Sequence, residues 1–324
     1  MNHSKTLILS LMAALGLLVV SRVEAAELTL LSMNMKGAGA NEQKPIDETV
    51  AVMKASKADI IAAQETVPEP EPCEAGYGGC IAEGMDRSRG KEIAAALGYY
   101  YHEFKHNQPH HWADILFSKY PIGKETPNGS GVEIMVGGDK IVVYSMNLND
   151  APYQPYQIMK IEYGDFPFVT TAAEAIKYAK LARGKAFELV AADVKAVSDA
   201  RAHFVMGDFN EPSHLDWNGA AVAAKLQPMV VEFPFSKGLA DLGFVDSYRS
   251  VYPNVVAKPG FTWTTTTEPS DPTDHHDRID FIMVGGKNIK ITHAAIVGEK
   301  SPEADLVVTP WPSDHRATMA KVSW

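Results

Sequence analysis

The segment His203-Phe-Val-Met-Gly-Asp-Phe-Asn210 opens as a short strand-like run and closes on a carboxylate, Asp208, and a carboxamide, Asn210. Runs of this kind recur along the chain. Leu28-Thr-Leu-Leu-Ser-Met33 delivers Asn34, Asp59-Ile-Ile-Ala-Ala63 delivers Gln64 and Glu65, and Ile141-Val-Val-Tyr-Ser145 leads to Asn147. Asp114-Ile-Leu-Phe-Ser118, Phe261-Thr-Trp-Thr264, Arg278-Ile-Asp-Phe-Ile-Met-Val284, Ile289-Lys-Ile-Thr292 and Ala317-Thr-Met-Ala-Lys-Val322 are also strand-like, the last directly after Ser313-Asp314-His315. Between them, Ile46, Val50 and Met53 repeat at helical spacing behind Pro45, and Phe187, Val190, Val194 and Val197 stripe a helix from about Ala172 to Ala200 that Gly184 should weaken or bend. Helices interspersed with many apolar strands predict an α/β layered fold, with two sheets inside and helices outside.

Composition sets the limits around that reading. A chain of 324 residues that is 46% hydrophobic and 22% charged has ample material for a core, which excludes a disordered or fibrous protein. The formal charge of −10 repels phosphate polymers, so any phosphate chemistry has to recruit cations. Lys5 precedes an apolar stretch from Leu7 to Val20 and then Val23-Glu24-Ala25, a pattern that predicts a signal peptide over residues 1–25 with cleavage before Ala26. One domain then occupies residues 26–324, in a secreted or periplasmic protein. Cys73 and Cys80, flanking a Gly-rich stretch, are expected to pair in that oxidising compartment.

Acids, amides and an imidazole thus follow or precede strands repeatedly, and in layered α/β folds such ends converge on one pocket. Asp280 is the most telling of them. A carboxylate inside Ile279-Asp-Phe-Ile-Met283 is costly to bury without a partner, and His315 needs a carboxylate to fix its tautomer. The competing expectation is a surface ion pair between Asp280 and Arg278 on the same strand face. His110-His111 and His275-His276-Asp277 could each rim the pocket or hold another ion; exposed loop histidines are the favoured reading of the first cluster, and the second is evenly balanced. Tyr153-Gln-Pro-Tyr-Gln157 is either an aromatic wall or loop packing, and Asp216-Trp217 either a pocket edge or a core anchor.

The ordered set Asn34, Gln64-Glu65, Phe117-Ser-Lys-Tyr-Pro-Ile122, Gly207-Asp-Phe-Asn210, Arg278-Ile-Asp280 and Ser313-Asp-His315 resembles the endonuclease/exonuclease/phosphatase superfamily across nearly the whole mature chain. The resemblance implies a four-layered α/β sandwich with two central, mostly antiparallel sheets flanked by helices. It also implies phosphoester cleavage with Mg²⁺, or Mn²⁺ or Ca²⁺ in its place. By that resemblance Glu65 is the principal metal ligand, Asn34 a neighbouring ligand or orienting group, and Asp314 lies close to the metal. Asp208 orients or deprotonates the attacking water, Asn210 bonds the phosphate, and His315 is the essential imidazole supported by Asp280. Met33 stands where many members carry Trp, and Lys36 where some nucleases carry an acid. Asn147 stands where the family usually has His, so it can donate a hydrogen bond to phosphate but cannot deliver a proton to a leaving group.

The expected activity is therefore that of an exported, metal-dependent phosphoester hydrolase acting on a small phosphodiester, phosphomonoester or phospholipid head group. An exported nuclease is the rival reading, and a non-catalytic binding module of the same fold is a third.

Overall fold

The computed structural model describes residues 26–68, 88–106 and 108–324, so residues 1–25 and the Cys73 and Cys80 pair lie outside the described residues. One sheet contains β1 (Glu27–Asn34), β2 (Ile60–Gln64), β3 (Tyr100–Glu103), β4 (Ile115–Ser118), β11 (Lys290–Gly298), β12 (Leu306–Val307) and β13 (Ala317–Ser323), in the order β12-β11-β13-β1-β2-β4-β3. The other contains β5 (Ile122–Glu125), β6 (Gly131–Val136), β7 (Asp139–Asn147), β8 (Ala202–Asp208), β9 (Val245–Asp246) and β10 (Asp280–Gly286), in the order β5-β6-β7-β8-β10-β9. Pairing is antiparallel except for β1 with β2, β11 with β12, and β7 with β8. The helices are α1 (Ile46–Ser56), α2 (Gly90–Leu97), α3 (Gln154–Met159), α4 (Ala172–Ala196), α5 (Gly219–Ala223), α6 (Pro234–Asp241) and α7 (Ser247–Val251). No described helix is long and apolar enough to cross a membrane.

The layers follow from the two-residue period of the strands. Leu28 and Leu30 of β1 face the second sheet, where Ile141, Val143, Phe204, Met206, Ile282 and Val284 meet them in one apolar layer. The alternate residues Leu31 and Met33 pack outward with Val52 and Met53 of α1 and Ile93 of α2. On the far side, Val142, Tyr144 and Val205 pack against Ala186 and Val190 of α4 and Leu239 of α6. The result is helix, sheet, sheet, helix: the four-layered α/β sandwich with mostly antiparallel sheets. The long helix α4 starts at a capping box between Thr171 and Glu174 and runs to Ala196, four residues short of the expected Ala200, without a break at Gly184.

One expected strand is absent. Phe261-Thr-Trp-Thr264 makes only isolated bridges, Trp263 with Asp277 and with His315. The Thr262 hydroxyl oxygen instead accepts the backbone N–H groups of Ile279 and Asp280, which fixes the entry to β10 rather than extending a ladder.

Candidate active site

The inner rows of the sandwich change character at one end. Asn34 continues the row of Leu28 and Leu30, Gln64 the row of Ile60 and Ala62, and Asp208 the row of Phe204 and Met206. Parallel pairing sets Asn34 beside Gln64 and Asn147 beside Asp208. Because β10 runs antiparallel to β8, its first residue, Asp280, lies opposite Asp208. Likewise β13 runs antiparallel to β1, which brings His315 to the same edge. The carboxyl ends of four strands and the amino ends of two therefore converge, and Gln64 spans the sheets with a 3.1 Å bond from Nε2 to the Ser145 hydroxyl.

His315 Nδ1 lies 3.0 Å from Asp280 Oδ2, and its Nε2 lies 3.8 Å from Asp208 Oδ2. Arg278 is drawn elsewhere, so Asp280 serves the imidazole. Burial works against a charge on His315, but the flanking Asp280 and Asp208 carboxylates raise its pKa to about 10. Burial and the charge of Asp280 push Asp208 upward in turn, while His315 and the Asn210 N–H pull it down. Asn34 links the groups: its Nδ2 donates to Glu65 Oε1 at 2.8 Å and to Asp208 Oδ2 at 3.1 Å. Its oxygen accepts the Lys36 backbone N–H at 3.1 Å. Ser313 ties the last loop down by donating to the Asn34 carbonyl at 2.8 Å, and Asp314 pairs with the Lys36 ammonium at 3.4 Å. Asn210 donates through Nδ2 to the Leu148 carbonyl, and its N–H caps Asp208 Oδ1.

Local backbone geometry explains why the motifs read as they do. Gly207 has φ +141, and a Cβ there would sit 2.0 Å from the Met146 carbonyl oxygen, so only glycine lets β8 approach β7 at this point. Lys36, Glu65 and Asn210 all adopt positive φ, at 48, 56 and 48. Such left-handed residues cost roughly 1 kcal/mol or more each and are held here by the surrounding bonds.

The site edges a cavity of about 790 Å³ lined by Lys36, Glu65, Asn147, Asp208, Asn210 and His315 on its polar side. Trp112, Tyr153, Tyr156, Tyr163 and Trp263 line it too. Tyr153 and Tyr156 lie at the start of α3 and within it, so Tyr153-Gln-Pro-Tyr-Gln157 forms a wall of the cavity. Trp112, Tyr163 and Trp263 were not legible as lining residues: Trp263 reaches the site through tertiary contacts, among them its bridge to His315. His110 and His111 are buried, contrary to the expectation of loop exposure. His111 stacks on Phe104 and bonds Asp114 at 2.8 Å and the Gly129 carbonyl at 3.0 Å, which occupies both ring nitrogens. His275 bonds Gln227 and His276 bonds Thr267, both on a separate depression behind the wall. Asp277 is buried beneath the wall, receiving Tyr153, Trp217 and Gln227. Trp217 is a core anchor, fully buried.

Two buried carboxylate oxygens at the site, Asp280 Oδ1 and Asp314 Oδ1, have no hydrogen-bond partner among the described residues. Asp208, Asp280 and His315 place ligand atoms within 4.8 Å of one another, and Glu65 and Asp314 extend the set of acids. Hard oxygen donors in excess of local positive charge suit a divalent cation.

The family model described as the endonuclease/exonuclease/phosphatase family matches residues 31–315. The chain belongs to that family. Its members are metal-dependent phosphoesterases and nucleases. A 3′ phosphatase from Neisseria, solved with a product DNA hairpin, aligns with 92% of this chain and 100% of its own at a TM-score of 0.57 and 13% identity. Family proteins from Beutenbergia cavernae and Leptotrichia buccalis each align with 92% of this chain at a TM-score of 0.53, with 17% and 15% identity and 72% and 100% of their own chains. At these identities the likeness is one of fold. An uncharacterised protein of Caenorhabditis elegans is 34% identical over 125 residues, which is 36% of this chain and 39% of the relative.

Proposed function

We propose that the protein is an exported, divalent-metal-dependent phosphoester hydrolase acting on a small or lipid-derived phosphoester. The observation that carries this reading is the buried Asp280–His315–Asp208 array beside Glu65 and Asp314, at the polar end of a single cavity. Glu65 and Asp314 would hold the ion, with Asn34 setting the Glu65 carboxylate. The ion, when bound, supplies charge neutralisation for phosphate oxygens and stabilises the departing oxygen.

The protein's own groups do the rest. Asp208, fixed by the Asn34 amide and the Asn210 N–H, is placed to orient a water and accept its proton. His315 presents Nε2 on the side of Asp208, with Asp280 holding the ring, so its charge faces developing negative charge on phosphate. The Asn147 amide lies at the cavity edge for bonding phosphate oxygens, oriented by Asn210, whose Nδ2 donates to Asn147 Oδ1 at 3.5 Å and to the Leu148 carbonyl at 2.9 Å. Asn147 carries no titratable proton, so a good leaving group is favoured over an alkoxide. Export rests on the leader-like residues 1–25, and the preference for a small substrate on the net charge of −10.

The deciding experiment is a substrate panel with the purified protein: a phosphomonoester, a phosphodiester, a phospholipid and plasmid DNA, each with Mg²⁺, Mn²⁺ or Ca²⁺ and with EDTA. Metal-dependent turnover of the small esters is expected. Cleavage of DNA alone would give the nuclease reading precedence, and inactivity on all four would favour a binding module.

A further inference from the structure

The aromatic side of the cavity is built to an unusual plan. Tyr153 donates its hydroxyl to Asp277 at 3.0 Å, Tyr156 to Asp274 at 2.5 Å, and Tyr163 to Asp150. The indole N–H of Trp263 donates to the Tyr156 hydroxyl at 3.2 Å. Each ring's polar end is therefore already engaged by the protein, and what remains for a ligand is ring surface. The rings also brace one another edge to face, Tyr153 on Tyr156 at 4.9 Å and 88°, and Tyr156 on Tyr163 at 5.8 Å and 85°. Trp263 packs on the His315 ring at 4.9 Å, which makes the wall continuous with the hydrolytic groups.

A purely structural cluster would bury its rings on every side. These do not: Tyr163 retains 37% of its surface, Tyr156 and Trp263 are half-buried, and all line the cavity. The acids that fix them come from the loop after β7 and from the segment preceding β10, so the wall is held from more than one side. Rigid rings with spent polar ends favour a flat apolar partner, because offset or edge-to-face stacking adds to simple burial and little ordering entropy remains to be lost.

Building on the hydrolase reading above, we propose that Tyr156, Tyr163 and Trp263 form a stacking platform for a planar aromatic group carried by the phosphoester substrate. The phosphate then sits at His315 and Asp208, and the aromatic group lies along the wall. This selects aryl- or heteroaryl-bearing phosphoesters from the wider class of small esters.

The test separates the platform from the chemistry by using inhibitors that cannot turn over. Competition constants for phenylphosphonate, cyclohexylphosphonate, methylphosphonate and phosphocholine are measured with a p-nitrophenyl phosphodiester as reporter, alongside quenching of tryptophan fluorescence by each compound. Phenylphosphonate is expected to bind about tenfold more tightly than methylphosphonate, the scale of one stacked ring, and more tightly than cyclohexylphosphonate. Tyr163→Ala should reduce the phenyl-to-methyl ratio about threefold or more, whereas Tyr156→Phe, which keeps the ring, should preserve most of it. Equal binding of phenyl and cyclohexyl groups would overturn the claim of planarity. Tightest binding by phosphocholine would replace the aromatic ligand with a cationic one, and a ratio unchanged by both Tyr163→Ala and Trp263→Leu would remove the platform altogether. Absence of reporter hydrolysis with any metal counts against the hydrolase reading instead, while fluorescence quenching still reports on the platform.

Discussion

Two buried clusters of charge lie close together in this protein and are built on opposite plans. Around Arg278, everything is matched. Its guanidinium donates to both oxygens of Asp246 at 3.0 and 2.7 Å and to Asp216 at 3.0 Å, and Asp216 also receives Arg249. Arg249 donates further to the carbonyls of Tyr252, Lys258 and Pro259. Two cations face two carboxylates with no charge left over. Around Asp280, only two residues along the chain, Glu65, Asp208, Asp280 and Asp314 face His315 and Lys36, and two carboxylate oxygens find no partner among the described residues. The matched cluster is a fastener, whereas the mismatched one is, on the hydrolase reading proposed above, a receptor for positive charge, and of the two only the second opens onto the cavity.

The difference can be broken most severely at Glu65. Glu65→Gln keeps the shape and an acceptor for Asn34 while removing charge from the cation-binding side, so kcat/KM should fall by roughly 10³-fold or more, in the range associated with losing a key electrostatic group. Circular dichroism should show an unchanged fold, and ordinary activity in this variant would take Glu65 out of the site. Next comes the fastener. Arg278→Met strands Asp246 in the interior, leaves Asp216 with Arg249 alone, and should destabilise the protein by about 3–5 kcal/mol in urea unfolding, as for other buried pairs that lose one partner. A loss below about 1 kcal/mol would show that water reaches those acids.

Asp314→Asn sharpens the contrast from the other side. It removes one charge from a cluster already too negative and breaks only a partly exposed pair with Lys36, so stability without metal should change by less than about 1 kcal/mol. Stabilisation by added Mg²⁺ should shrink in the same variant, which a thermal scan with and without EDTA would read. The smallest effect concerns acid. Burial disfavours ionised Asp246, but the Arg278 guanidinium outweighs it and lowers the carboxyl pKa. A depressed acid pKa contributes stability that is complete above the unfolded value of about 3.9 and is lost as pH falls through the lower folded value. Urea midpoints should therefore drop below about pH 4 in the wild type, and Asp246→Asn should flatten that slope while lowering stability at neutral pH.

Much of this site could be read along the chain because its residues terminate strands. Apolar runs ending at Asn34, Gln64 and Asp208, and a run beginning at Asp280, announce strand ends carrying polar groups, and a two-residue period places them on the inner face. The histidines at 110 and 111 show the reverse. Their polar, loop-like context reads as exposed, yet Phe104 and the Asp114 carboxylate cover His111 through contacts that no local pattern encodes. Arg278 and Asp280 were ambiguous for a related reason. Spacing alone sets them on one strand face, but the strand begins only at Asp280, which frees Arg278 to turn towards Asp216 and Asp246.

The sequence by itself determined the layered α/β fold, the acids, amides and imidazole at the strand ends, and the excess of negative charge, because periodicity and composition act over a few neighbouring residues. Only the tertiary structure decided that Asp280 serves His315 while Arg278 serves Asp216 and Asp246, that Asn34 joins Glu65 to Asp208, and that Trp263 and Tyr163 reach the same cavity. Asn34 and Asp208 are 174 residues apart, and partners at that distance are chosen by the crossing of two sheets and by burial, which make each carboxylate take the nearest donor the packing allows.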